Sequence, residues 1–300
     1  MQTKRTTSPG AERLLFTSYP ALDQGYVQPI DYMGNDSDIV QAARVSYGPS
    51  AKPVSDDRTL LRYLLRQGHT SPFEMCEVKF RCKMPIFVAR QWIRHRTANV
   101  NEMSLRYTEA PDEFYMPAPE LIAVQSSANK QGRGEELTPK LKQTVLDILA
   151  NNQAEAYSAY RALADDLGIA RELARTALPV SIYTQWIWKI DLHNLMHFLR
   201  LRLHPHAQAE IRIFAEHMAS FVEAWVPQAW EAFTDYRLEA ETFSRQEREL
   251  LGELLRDLDE RAAKEDIPLG RHVEQRAEGT FANARERREF LAKFRSLLRV

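Results

Sequence analysis

Three arginines, a histidine, a glutamate and a serine crowd into RHRTANVNEMSLRY, residues 94–107. A guanidinium presents a planar fork of donors and stays charged in a protein, so arginines at this density suit phosphate or carboxylate groups. From Arg81 to Arg106 the chain carries six Lys or Arg residues and one acid, Glu102. Over the whole sequence, 41 acidic and 40 basic residues leave a formal net charge of -1. Concentrated positive charge in a neutral chain points to a small anion held locally; coating a nucleic-acid duplex calls for a basic excess. In PIFVARQWIRH, read as a helix, Gln91 and Arg94 are three residues apart and Arg90 and Arg94 four, so one face offers an amide beside guanidinium groups. That pairing fits a ligand with both a phosphate and a hydrogen-bonding ring. The ordinary alternative is that such arginines solvate a surface or pair with carboxylates; Asn101, Glu102, Ser104 and Arg106 close behind favour a site.

Histidines form a second constellation. His193, His197, His204, His206 and His217 fall within 25 positions, and the i, i+4 spacing of His193 and His197 can put two imidazoles on one helix face. Zinc is therefore an alternative, with His206 and Glu210 as further ligands. HNLMH lacks the glutamate of HExxH, however, because Asn194 stands in its place. At about 100° per residue, Arg202 projects into the sector of Leu195 and Phe198, away from His193 and His197. A buried cation is costly unless it meets an anion or an acceptor, so Arg202 closes a structural ion pair or faces a ligand.

Absences narrow the chemistry further. No GxGxxG follows a strand and no P-loop sequence occurs, so a nucleotide would be held without a glycine cradle. Ser104 lacks the G-x-S-x-G elbow and neither cysteine has a setting that lowers its pKa, which argues against a protein nucleophile.

Several elements must position these groups. Cys76, Val78, Phe80, Cys82 and Met84 alternate with charged residues, the period of a half-buried strand. Its two cysteines would lie about 20 Å apart, beyond disulfide reach. VSIYTQWIWKI puts Ile182, Thr184, Trp186 and Trp188 on one face of a second strand. Helices are expected over SDIVQAARVSYG and DDRTLLRYLLRQGH, the latter capped by Asp56 or Asp57 and ended by Gly68. Pro85 is expected at the first position of the arginine-bearing helix. The stretch from Ser126 reads as an exposed loop, and Thr138–Pro139 opens a helix to about Gly168. RELARTA makes a short helix, and Asp191 caps DLHNLMHFLRLRL, apolar nearly all round and so expected to be buried. Beyond about residue 236 the chain turns to charged amphipathic helix, with a capping box at Ser244 and Glu247. Three hundred residues suffice for one large domain with an appendage. No internal repeat is evident, and without a signal peptide or a bilayer-spanning segment a cytoplasmic protein with no membrane partner is expected.

The residues also resemble a known family. Arg94, His95 and Arg96, followed after seven residues by Ser104, match the signature of flavin-dependent thymidylate synthases. ARVSY at 43–47, GHTSPFE at 68–74, and LHNLMHFLRLR with HAQAEIR between 192 and 212 occur in that family's order. The resemblance spans roughly residues 30–230. It implies an α+β fold, a small antiparallel sheet wrapped by long helices like that of thymidylate synthase complementing proteins, assembled as a homotetramer with active sites shared between subunits. It implies conversion of dUMP to dTMP with methylenetetrahydrofolate as carbon donor and NADPH as reductant, through FAD. The family pattern assigns FAD contacts to Ser71, Arg94, His95, Arg96, Glu102, Asp191, His193 and His197. It assigns dUMP contacts to Gln91, Arg94, Glu102, Met103, Ser104, Leu105, Arg106, Arg175 and Arg202, and a chemical role to Arg202. Asp191 departs from the asparagine of many members, and as an N-cap its carboxylate could turn to the helix amides instead. The rival readings are a zinc hydrolase built on His193, His197 and His206, and a nucleic-acid-binding module; the family reading expects neither metal nor nucleic acid. Residues 1–235 would form the synthase domain and 236–300 a helical arm.

Overall fold

A computed structural model describes residues 5–46, 56–127, 132–264 and 269–298. It divides into two units, Met1–Leu238 and Glu239–Val300. Seven strands are present: β1 (Tyr19–Ala21), β2 (Gly25–Met33), β3 (Glu77–Pro85), β4 (Asn99–Glu102), β5 (Ala123–Gln125), β6 (Arg133–Glu136) and β7 (Tyr183–Asp191). The first unit carries helices α1 (Pro9–Leu14), α2 (Asp36–Val45), α3 (Asp57–Gln67), α4 (Ser71–Glu74), α5 (Ile86–Trp92), α6 (Pro139–Arg161), α7 (Arg171–Ala174), α8 (Leu192–Arg202), α9 (Ala209–Trp225) and α10 (Pro227–Phe233). The second holds α11 (Arg245–Lys264), α12 (Leu269–Thr280) and α13 (Ala284–Leu298).

Five strands pair antiparallel in the order β1-β2-β3-β7-β4, and β5 with β6 forms a separate hairpin. The alternation read from the sequence sets the faces of the sheet. Val78, Phe80, Cys82 and Met84 of β3 and Trp186, Trp188 and Ile190 of β7 are buried among the helices, while Glu77, Lys79, Arg81, Lys83 and Lys189 turn the other way. Trp92 at the end of α5 fills the centre of the core, 5.3 Å from the Trp186 ring, 5.2 Å from Trp188 and 5.2 Å from Phe198. Aromatic groups packed edge-on and stacked in this way bury large areas and fix the helix at one depth. The fold is α+β, as the sequence implies.

Local chemistry places the boundaries. Asp56 accepts from Thr59 N at 2.9 Å as the cap of α3, and Gly68 ends that helix at φ 76, the left-handed conformation glycine adopts freely. Ser244 and Glu247 close their capping box through reciprocal bonds.

Several expectations need correction. Pro85 is the last residue of β3 and the N-cap of α5, which starts at Ile86. Ahead of the first expected helix lie α1, β1 and β2, for which the sequence reading gives no element. Part of the loop expected from Ser126 is strand β6, while residues 128–131, and residues 47–48 of the helix expected at SDIVQAARVSYG, lie outside the described residues. Helix α8 is not buried all round: Leu195, Phe198 and Leu199 are fully buried, whereas His197, Arg200 and Leu201 are exposed.

Candidate active site

The arginine motif follows directly from the packing of Trp92. Helix α5 stops there, Ile93 N bonds to Ala89 O and His95 N to Trp92 O, and the chain turns back to form β4 on the outer edge of β7. Arg94 therefore lies in the turn and not on the α5 face with Gln91, which corrects the helical spacing argument; the need to return to the sheet ends the helix early. Arg94 and Arg96 are exposed, and neither has a hydrogen bond or ion pair among the described residues. Gln91 remains on α5, and its Oε1 is buried without a partner among the described residues. An orphaned buried carbonyl is costly and marks a place where a donor is missing.

His95 sits between the turn and α8. Its Nε2 accepts from Arg202 Nε at 3.1 Å. Its ring is 4.9 Å from Phe198 and 6.0 Å from His197. Burial, with the nearby charge of Arg202 and then His197, pushes the His95 pKa down to about 4. Burial also lowers Arg202 from its ordinary value, although a guanidinium stays charged. Of the two roles open to Arg202 from sequence, the structural ion pair is not seen among the described residues, where its side-chain partner is the neutral imidazole of His95.

Glu102 ends β4 opposite Trp186, and its Oε1 accepts from Thr184 Oγ1 at 2.7 Å. Met103 N bonds to Gln185 O at 2.8 Å and continues the ladder. Beyond it the chain winds into a tight turn: Ser104 O accepts from Tyr107 N and Thr108 N, and Ser104 Oγ from Arg106 N at 3.3 Å. Leu105 packs on a small satellite core containing Ala110, Phe114, Tyr160, Ala174 and Ile182. Arg106 pairs with Glu172 at 3.0 Å, and Arg175 Nε donates to Glu172 O at 3.3 Å. The structure thus gathers Ser104, Arg106 and Arg175 around Glu172 and, through His95, joins Arg202 to the arginine triplet.

His193 and His197 line a cleft that adjoins His95 through the His95–His197 ring contact. The cleft, of about 200 Å³, opens between the end of α3, α4, α8 and α10, lined by His69, Thr70, His193, His197, Arg200 and Arg237 among others, with Ser71 adjoining Thr70. Burial and the charge of Arg200 hold His197 below the usual imidazole range. The lining carries basic nitrogens and no carboxylate, a composition suited to an anion. Asp191 caps α8: Oδ1 accepts from Asn194 N at 2.9 Å and Oδ2 from Asn194 Nδ2 at 2.7 Å.

The zinc alternative finds no ligand set. Among the described residues no three of His, Cys, Asp or Glu come together to hold a metal, and His206 stacks on His204 with centroids 5.0 Å apart, while Glu210 binds Arg133. Neither thiol is activated: burial pushes Cys76 up to about 12 and raises Cys82 well above its ordinary value. No helix of the described residues is long and apolar enough to cross a membrane. Sequence reasoning missed Thr184 and Glu172 as neighbours of the site, because both connections depend on chain segments far apart; Thr184 stood out only as a polar residue on an otherwise apolar strand face.

Comparisons with known proteins place the chain in a family. Residues 29–228 match the family model described as Thymidylate synthase complementing protein. The chain is 56% identical over 247 residues to the flavin-dependent thymidylate synthase of Ruegeria pomeroyi, covering 81% of this chain and 82% of that one. It is 50% identical over 269 residues to that of Wolbachia pipientis wMel, covering 90% and 94%. Among solved structures it is similar to the UMP/dUMP methylase PolB of Streptomyces cacaoi bound with 5-Br dUMP, at a TM-score of 0.66 and 34% identity over 73% of this chain and 99% of that chain. Matched over two thirds of its length by the family model and at half identity or better over most of each relative, the chain belongs to the flavin-dependent thymidylate synthase family.

Proposed function

We propose that the protein catalyses the reductive methylation of dUMP to dTMP, with methylenetetrahydrofolate as carbon donor, NADPH as reductant and FAD as cofactor. The observation that carries the reading is Arg202 held against His95: it brings a guanidinium with no counter-carboxylate among the described residues to the exposed arginine turn. The residues present fit a flavin nucleotide and a pyrimidine nucleotide. Arg94 and Arg96 are free to meet phosphate, Gln91 Oε1 awaits a donor, and the polar lining of the His193/His197 cleft carries basic groups and no carboxylate. Arginine side chains take the place of the absent glycine cradle.

When bound and reduced, FAD would supply the reducing chemistry, a hydride for uracil C6. The chain's own residues then bind and orient. Arg94, Arg106 and Arg175 neutralise and aim the nucleotide phosphate, with Ser104 and the backbone of Met103 and Leu105 shaping the turn around it. Arg202, which stays charged, stabilises the pyrimidine when N3 loses its proton, lowering that pKa and polarising the ring. Ser71, His95, Arg96, Glu102, His193 and His197 hold the flavin. Asp191 contributes by capping α8. No enzyme nucleophile is required, in keeping with two thiols held protonated by burial. We assign the assembly as a homotetramer with active sites shared between subunits. We assign residues 1–235 to the synthase domain, 236–300 to a helical arm, and the protein to the cytoplasm.

The test is a visible spectrum of the purified chain after incubation with FAD and removal of the excess, followed by an assay of dTMP formation. Flavin bands that bleach with NADPH under anaerobic conditions, and dTMP formed from dUMP, are expected. A colourless protein that makes no dTMP overturns the reading.

A further inference from the structure

On its core face β7 carries Tyr183's neighbour Thr184 in a row otherwise made of Ile182, Trp186, Trp188 and Ile190, each 1–2% exposed; Thr184 itself is 4% exposed. Valine has the same shape and would suit this face without a polar atom. A buried hydroxyl is costly unless it is hydrogen-bonded, so its presence calls for a partner. Among the described residues that partner is Glu102 alone, at 2.7 Å, and the Glu102 side chain in turn has no other hydrogen bond or ion pair. The register explains the reach. Glu102 stands opposite Trp186, so Thr184, two residues along β7, is its diagonal neighbour on the same face.

We propose that Thr184 is a positioning residue for the active site: its hydroxyl clamps Glu102 Oε1 and leaves Oε2 to meet the ligands. The inference rests on the reading in which Glu102 touches flavin and nucleotide. Glu102 closes a four-residue edge strand and is exposed, so without a clamp its side chain would sample several rotamers. The backbone bond from Met103 N to Gln185 O fixes the main chain beside it, and Thr184 extends that order to the carboxylate. A carboxylate fixed before ligands arrive does not have to be ordered during binding or reaction.

The test is a double-mutant cycle on the full chain loaded with FAD, measuring kcat and KM for dUMP. A hydrogen bond to a charged group corresponds to about 10- to 100-fold, so Thr184→Val should lower kcat/KM by about that factor. Thr184→Ser, which keeps the hydroxyl, should recover most of the loss. In a Glu102→Ala background, which removes the acceptor, the valine substitution should add little, because the two residues act as a unit. Equal losses from Thr184→Val in both backgrounds, or no recovery with serine, would overturn the inference and leave Thr184 a packing residue. Thr184→Ala run through the same cycle decides the matter should the valine variant fail to fold. A parent chain that binds FAD yet forms no dTMP overturns the functional reading instead, and the inference falls with it.

Discussion

Arg202 Nε donates to His95 Nε2 at 3.1 Å across 107 positions of sequence. The bond fixes three things at once: the direction of the guanidinium, the neutral state of the imidazole, and the tautomer, since Nε2 must carry the lone pair and Nδ1 the proton. The histidine of the RHR triplet thereby serves the arginine that the nucleotide is proposed to meet.

Replacing Arg202 with alanine should leave the flavin spectrum intact and abolish dTMP formation, a loss of at least about 100-fold for a group acting on developing charge. Retained turnover would remove its chemical role.

The depressed pKa of His95 predicts a pH dependence of stability. The folded chain keeps His95 neutral down to about 4, whereas in the unfolded chain it protonates near 6.5. Between those values the unfolded state binds the extra proton, so this contribution to stability is full above 6.5 and is lost as pH falls to about 4. Urea midpoints measured across that window should fall less steeply for His95→Gln than for the parent.

Glu172 occupies Arg106 from within the chain, through a bridge whose side chains are 53% and 58% exposed. Such surface pairs are worth about 0–1 kcal/mol. Glu172→Gln should therefore lower KM for dUMP by up to about fivefold while kcat holds. An increase in KM would mean that Glu172 orients Arg106 rather than competes for it.

Glu210 is 3% exposed and its Oε1 accepts from Arg133 Nη2 at 2.5 Å and Tyr115 Oη at 3.1 Å. The pair ties the β5–β6 hairpin to the start of α9. Removing one partner of a fully buried pair costs about 3–5 kcal/mol; with Arg133 38% exposed, Arg133→Met should cost about 1–3 kcal/mol. Denaturant unfolding measures it, and an unchanged midpoint would contradict the role.

Much of the sheet was legible from period alone. The alternation of β3 and β7 identified their buried faces, and Asp56, Gly68, Asp191 and Ser244 marked helix ends by residue type. The β1–β2 hairpin was not, because Pro20 and Pro29 interrupt both strands and proline removes a ladder donor. Arg94 was misplaced for a related reason: helical spacing continues on paper past Trp92, and only the pairing of β4 with β7 shows why the chain must turn. The arginines of the site could be picked out by density. Their partners Glu172 and His95 could not, nor could Thr184 as the partner of Glu102, since these are matched by tertiary closure and by no local rule.

The strand order has a kinetic corollary. β3 pairs with β7 from Glu77↔Asp191 to Pro85↔Tyr183, so the centre of the sheet is stitched from segments about a hundred residues apart. Loop closure of that length is entropically costly before any contact offsets it, and topologies dominated by distant pairs fold slowly. During synthesis the arginine turn must wait, its edge strand unpaired, until β7 and then α8 have left the ribosome. The site is therefore among the last parts of the molecule to come into being, and conditions that slow the docking of β7 should delay the appearance of flavin binding more than the appearance of helix.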